Sequence, residues 1–290
     1  MYPMEGPVQL DVFKTLWGAV GEESPYGTFA DVIPRVAGDG FEGVVFALIN
    51  LDVSPGIGTL DDLASLCGTH QLDLVTMVMT FGSSVDEHLA TLRRQFEMVA
   101  PLPNRHVVCL GGSDAFTAQE AKRFFRGALA MEQDFGLTVA HETHRGRVLF
   151  SPWDTDRILD QFDDLRLACD FSHWVVVCER LIDDQIDIIR RCGQRAIHVD
   201  CRVGYEEGPQ VPDPRAPEWA DHVAAHERWW DLVWDAQEAR GLETSIMVPE
   251  FGPPPYQQTL AYSGEPTSDL WEMCNWMAAR QRERFAARSE

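Results

Sequence analysis

The sequence is short of positive charge. Its 24 Lys and Arg stand against 46 Asp and Glu, leaving a formal net charge of −22 and a pI near 4.7. Phosphate binding depends on a surplus of basic side chains, so nucleic acid and anionic membrane surfaces are not expected as partners. No run approaches the ~20 apolar residues of a membrane span. The opening MYPMEGPVQL has neither the basic region nor the apolar stretch of a secretory signal. The 7 cysteines include no C-x-x-C pair. Cys109, Cys169 and Cys201 sit in or just after apolar runs, which reads as reduced, buried thiols in a cytoplasmic protein rather than a disulfide framework or zinc knuckle. No G-x-G-x-x-G follows the first strand-like run, and Gly111–Gly112 is too short to cradle a phosphate. There is no G-x-S-x-G elbow and no Cys/His pair placed for acyl transfer, which disfavours nucleophilic hydrolases.

What is present is a large apolar fraction, 45% over 290 residues. A chain of this size buries roughly three-quarters of its unfolded surface, so disorder is excluded. Strand-like runs fall at 12–16, 43–48, 72–79, 106–110, 137–142, 167–171, 196–199 and 244–248. Amphipathic helical stretches lie between them, at 86–100, 117–135, 152–162, 183–192, 218–240 and 268–284. Thr117 with Glu120 forms a capping box, Ser151 precedes a proline at the first helical position, and Gly193 and Gly241 stop their helices. Eight strands, each followed by a helix, indicate parallel βαβ units. No linker or composition shift divides the chain, so the expected fold is α/β, one (β/α)8 TIM barrel over 1–290. Two long Gly/Pro-rich loops, 202–217 and 251–267, follow strands seven and eight at the end where barrel active sites lie.

Four consecutive strand ends carry metal-competent groups. Strand five ends VAHETH, with Glu142 and, two residues on, His144 pointing the same way. Strand six ends ACDFSHW, giving Asp170 and His173; strand seven ends IHVDCR, giving His198, Asp200 and Arg202; strand eight ends VPEFG, giving Glu250. Carboxylates converging on one barrel mouth repel, and desolvation worsens it, so a divalent cation is the economical explanation. His141 faces the opposite way and packs toward the helices. His70, His88, His106, His222 and His226 read as surface or helix residues. Trp219, Trp229, Trp230 and Trp234 read as packing between helix and barrel.

Glu142, Asp170-x-x-His173, His198 and Glu250 at these positions resemble the xylose isomerase-like sugar isomerase/epimerase superfamily, over essentially the whole chain. FKTLWG at strand one and ETHRG at strand five resemble bacterial members of it. The resemblance implies one divalent metal held by Glu142, Asp170, His198 and Glu250, with Mn²⁺ foremost and Mg²⁺, Co²⁺ or Zn²⁺ as alternatives. It further implies an isomerase or epimerase acting on a keto-sugar or related polyol ketone. A proton α to the carbonyl would be removed through a metal-stabilised enediolate. Glu142 and Glu250, on opposite substrate faces, would exchange protons. His173 would hold a substrate oxygen and Arg202 would balance the enediolate charge. The inward direction of His144 suggests a second base. Trp17, Tyr205 and Tyr256, with Gln210 and Gln257, are the expected recognition residues.

Two departures leave the subfamily open. Arg202 lies closer to His198 than the epimerase arginine does to its histidine, and the lysine of xylose isomerases has no counterpart. The alternative is a lyase of the same superfamily, an inosose dehydratase-like or 3-keto-glycoside β-eliminating enzyme. The superfamily's abasic-site nucleases need histidines after strands three and four; these strands end TMVMTFG and VVCLGG. A non-catalytic sugar-binding or scaffolding barrel is disfavoured because buried charges without a task are expensive. The absence of a basic cradle points to an unphosphorylated substrate. Relatives are often dimers or tetramers, which implies a homo-oligomer.

Overall fold

The computed structural model describes residues 8–21 and 24–288. Its strands are β1 (Gln9–Thr15), β2 (Gly43–Ala47), β3 (Asp73–Met79), β4 (Asn104–Leu110), β5 (Val139–Glu142), β6 (Leu167–Cys169), β7 (Ala196–Asp200) and β8 (Thr244–Val248). Each pairs in parallel with the next, and β1 closes on β8 from Gln9↔Thr244 to Val12↔Met247, giving a closed (β/α)8 barrel. The helices are α1 (Phe29–Gly38), α2 (Ile49–Val53), α3 (Leu60–His70), α4 (Val85–Val99), α5 (Ala118–Phe135), α6 (Pro152–Leu159), α7 (Ser172–Cys178), α8 (Ile186–Gly193), α9 (Ala220–Ala239) and α10 (Leu270–Ala287). Among the described residues no helix is long and apolar enough to cross a membrane.

Local chemistry accounts for the boundaries. A parallel strand is covered on both faces, so β2 reads GVVFA and is buried throughout. At the start of α5, Thr117 Oγ1 accepts from Glu120 N and Thr117 N donates to the Glu120 carboxylate at 2.8 Å; Gly136, left-handed at φ 66°, ends it. Ser151 caps α6 ahead of Pro152. Trp229, Trp230 and Trp234 of α9 are buried in the helix–barrel layer, as expected.

Helix α1 escapes a periodicity reading because Pro34 lies inside it, and α2 and α7 are too short for a periodic signal. Strand β6 stops at Cys169, earlier than the apolar run suggests, because Phe171 already has helical geometry as the cap of α7.

Strand alternation divides the barrel interior into two unlike sides. Phe13, Val45, Val75, Met77, Val108 and Leu110 make the β1–β4 side apolar. On the other side, polar side chains follow one another along single strands: Glu142 and His144 at the end of β5, and His198, Asp200 and Arg202 along and just past β7. The acids and imidazoles therefore gather on one half of the mouth, facing a hydrocarbon wall.

Candidate active site

The mouth is built by side chains two residues apart on adjacent strands. Glu142 ends β5, and the next residue, Thr143, ties β5 to β6: its Oγ1 donates to Asp170 O at 2.9 Å and accepts from Asp170 N at 2.8 Å. Glu142, Asp200 and Glu250 are all buried, and their ligand oxygens lie within 4.8 Å of one another. Glu142 also shares such a group with His144 and His173. Two oxygens of the carboxylate cluster, Glu142 Oε2 and Asp200 Oδ2, are buried without any hydrogen-bond partner.

Electrostatics follows from this crowding. Burial, then Glu250, Asp200 and Asp170, push the Glu142 carboxyl well above the usual range. Burial and the neighbouring acids do the same to Asp200 and Glu250, with Arg202 opposing. The imidazoles move the other way. Burial, then Arg202, lowers His144 to about 3, and burial lowers His198 to about 3. Burial, then His144 and Arg202, holds His173 well below the ordinary histidine value. The site thus combines neutral imidazoles with carboxyls that resist ionisation on their own. A divalent cation fits such a set: it supplies the missing positive charge and partners for the two orphaned oxygens. Three carboxylates suit a hard ion such as Mn²⁺ or Mg²⁺.

Arg202 is the cation already in place. Its Nη2 pairs with Asp170 Oδ2, lies 3.3 Å from Glu250 Oε2 and donates to His173 Nε2 at 2.8 Å; its Nη1 donates to Glu250 O at 3.3 Å. The donor at His173 Nε2 assigns that ring's proton to Nδ1, which has no protein partner. The guanidinium sits 5.0 Å from the Tyr256 ring centroid. Trp17 meets Tyr256 edge-on at 4.8 Å, and Tyr256 Oη lies 3.5 Å from His144 Nε2. Trp17 is seated by Gly252, where a Cβ would come within 2.1 Å of the indole.

Several expected residues stand elsewhere. His198, expected as a metal ligand, lies one inward position deeper than Asp200. Its Nε2 donates to Asp200 Oδ1 at 3.0 Å and its Nδ1 contacts His106 Nε2 at 2.9 Å, so both ring nitrogens are occupied. Asp200, itself buried, is the β7 acid grouped with Glu142 and Glu250. Asp170, also expected as a ligand, is outside the carboxylate group: Oδ2 is paired to Arg202 and Oδ1 accepts from Ser172 N at 2.9 Å. His106 is not a surface residue but a buried partner of His198 on the far side of the barrel. His88 and His226 are buried too, bonded to Thr80 Oγ1 and Gly204 N respectively. His141 packs against Phe125 with Nε2 at 2.8 Å from Glu132 Oε1, facing the helices.

Of the loop residues, Trp17 and Tyr256 line the cavity with His144, Arg202, Glu142 and Glu250. Tyr205 does not: it stacks on Trp219 and accepts from Gln258 Nε2 at 2.8 Å. Gln210 clamps Gly252 through N–H and C=O at 2.8 and 3.1 Å, and Gln257 holds Ser268 O, so both brace the loops.

No family model matches the chain, and no curated protein matches its sequence. Solved structures do. D-allulose 3-epimerase from Methylomonas sp. superposes with a TM-score of 0.63 at 12% identity, covering 97% of this chain and 100% of that one. A xylose isomerase domain containing protein from Salmonella typhimurium gives 0.60 at 12%, covering 92% and 96%. The likeness is one of fold, a (β/α)8 barrel shared with these structures. The probable 3-DHS dehydratase AsbF involved in petrobactin synthesis from Bacillus anthracis gives 0.56 at 15%, covering 84% and 94%. The Methylomonas epimerase has also been crystallised in complex with D-allulose.

Three residues beside the expected set stand at or under the cavity: Asp200, Asn50 and Arg147. Asp200 was visible as a strand-end acid, but its depth relative to His198 depends on the stagger of β7 against β6 and β8. Asn50 and Arg147 also line the cavity, from α2 and the loop after β5. The HETHRGR run is the signal that would have found Arg147, since it places a further cation just past Glu142.

Proposed function

We propose that the chain is a divalent-metal-dependent isomerase or epimerase acting on a keto-sugar or related polyol ketone by moving a proton at the carbon next to the carbonyl. The observation that carries this reading is the buried carboxylate trio, with two orphaned oxygens, beneath a cavity lined by the neutral imidazole of His144 and by Arg202 and Arg147. Glu142, Asp200 and Glu250 would hold the metal, Mn²⁺ in the first instance, in place of the expected set that included Asp170 and His198. Bound there, a divalent cation polarises a carbonyl as a Lewis acid and favours the ionised carboxylates.

The chain's own residues divide the remaining work. Glu142 and Glu250 end different strands, three apart around the barrel, so a substrate between them meets one on each side; one removes a proton and the other returns it. His173 Nδ1–H, buried without a partner, donates to a substrate oxygen. Arg202, fixed by Asp170 and Glu250, faces charge that develops on the substrate oxygens. Trp17 and Tyr256 close the mouth and exclude water. His144 stands 3.8 Å ring to ring from His173.

A lyase of the same fold is the second reading, and His144 is the observation that favours it. Its Nδ1 proton is donated to Arg145 O, so the neutral imidazole turns an unprotonated Nε2 toward the cavity, a base additional to Glu142 and Glu250 that would leave one of those carboxyls free to protonate a departing hydroxyl. Incubation of the Mn²⁺-loaded protein with ketohexoses and inososes in D₂O separates the readings. Epimerisation returns a C–H-labelled sugar of unchanged composition, whereas elimination releases water and leaves an enone or enol. No exchange with any keto-polyol, or turnover unimpaired in Glu250→Gln, contradicts the acid–base assignment.

A further inference from the structure

The cavity above the carboxylates has a volume of about 220 Å³ and two chemically opposite walls. Toward β5–β8 stand Glu142, Glu250, His144 and Arg202. Toward β2–β4 the wall is Val45, Ala47, Met77, Met79 and Leu110. A substrate with hydroxyls on both faces would bury some of them against hydrocarbon, at roughly 1–3 kcal/mol for each one left unpaired. The wall therefore suits a substrate with one apolar face.

Arg147 lines the same cavity. Its Nη1 donates to Thr80 O at 2.6 Å and Gly112 O at 3.5 Å, and its guanidinium lies 5.3 Å from the Phe81 ring. Two backbone carbonyls and an aromatic ring thus fix it in place. Among the described residues no carboxylate lies within 4.0 Å of it, and its Nε and Nη2 have no protein acceptor. In a chain with 46 acidic residues to 24 basic ones, a held guanidinium without an anion is unusual. Arg202, by contrast, is taken up by Asp170 and Glu250. A second donor, Asn50 Nδ2, is buried without a partner and belongs to a residue lining the same space.

We propose that Arg147 is a specificity-determining residue that binds a carboxylate of the substrate, so that the substrate is a carboxylate-bearing carbonyl compound with one apolar face. This rests on the reading above only in placing the substrate in this cavity. A planar carboxylate matches the two nitrogens left free on one guanidinium. A phosphate group normally draws on a full helix N-terminus or a glycine-rich turn; among the described residues no glycine lines the cavity, and the only helix start there is that of the five-residue α2 at Ile49 and Asn50.

The test uses a matched pair of probes, 4-oxocyclohexane-1-carboxylate and 4-oxocyclohexane-1-carboxamide, titrated into the Mn²⁺-loaded protein and its Arg147→Met and Arg147→Lys variants. A charge-assisted contact predicts that Arg147→Met weakens the carboxylate by roughly tenfold or more and the amide by less than about threefold, with Arg147→Lys in between. Thermal unfolding of all three proteins checks that the fold persists. If Arg147 merely offsets the buried acids, the melting temperature drops while the ratio of the two affinities stays as in the parent, and the proposal fails. It fails equally if the carboxylate binds both proteins alike, as direct metal ligation of the probe predicts, or if neither probe binds. Displacement of the carboxylate by equimolar inorganic phosphate overturns the choice of anion. A carboxylate preference without exchange of the probe's α-protons in D₂O upholds the role of Arg147 and counts against the acid–base reading instead.

Discussion

Replacing Asp200 by Asn tests the carboxylate trio from the stability side. The change keeps the shape of the side chain, keeps an oxygen for the His198 Nε2 donor, and removes one negative charge. Two unit charges within 4.8 Å of each other, at an effective dielectric constant of about 20, repel by roughly 3 kcal/mol or more. Part of that is relieved in the metal-free parent, because Glu142, Asp200 and Glu250 hold protons to higher pH than ordinary carboxyls. The net gain at pH 7.5 is then on the order of 1–3 kcal/mol, or roughly 2–6 °C in melting temperature for a chain this long. Metal reverses the ranking: the parent gains from Mn²⁺ and Asp200→Asn gains much less. Differential scanning calorimetry of stripped and Mn²⁺-loaded forms measures both effects. A variant that melts below the parent without metal, yet gains as much from Mn²⁺, would refute the placement of Asp200 in the cluster.

Other consequences follow from the same geometry. The three raised carboxyls bind more protons folded than unfolded above pH ~4.5, so the stripped protein loses stability as pH rises from there toward neutrality; pH-dependent calorimetry should show the decline, and Mn²⁺ should flatten it. His141 also costs stability as pH rises, but in a higher window: burial lowers it, yet Cys109 and Glu132 raise it to about 10, so its contribution is complete below pH ~6.5 and vanishes as pH climbs through about 10. His141→Leu should remove that alkaline limb, seen by chemical denaturation across pH. Arg202→Met leaves Asp170 buried without its partner and should cost about 3–5 kcal/mol as well as turnover, whereas Arg202→Lys should recover stability more than activity. Gly252→Ala forces a methyl into the Trp17 ring and should destabilise by roughly 1–3 kcal/mol while shifting tryptophan emission.

The barrel was legible because its signals are local. Eight apolar runs with helical stretches between them, the Thr117 capping box and the Ser151–Pro152 start each depend on neighbours within a few residues. Elements that defy local rules were missed: α1 carries an interior proline, and α7 is a single pair of turns emerging straight from β6. At the site, alternation identified which side chains on β5, β7 and β8 point inward, but not how deep each sits. His198, Asp200 and Arg202 share one inward row, and alternation alone does not say which of them meets Glu142 and Glu250; Asp200 does. His106 could not be assigned from sequence, since its partner is 92 residues away across the barrel. Tyr205, Gln210 and Gln257 were expected at the substrate because loops after β7 and β8 carry function. Such loops must also be braced, and these residues do the bracing.

The account turns on a metal held by Glu142, Asp200 and Glu250, and calorimetric titration of the stripped protein with Mn²⁺ addresses it most directly. Carboxyls that hold protons near neutrality must give them up to a metal. Saturation is expected at about one equivalent per chain, with proton release revealed by buffers of different ionisation enthalpy. Absence of saturable binding, or binding that persists undiminished when Glu142 and Asp200 are both neutralised to Gln and Asn, would contradict it.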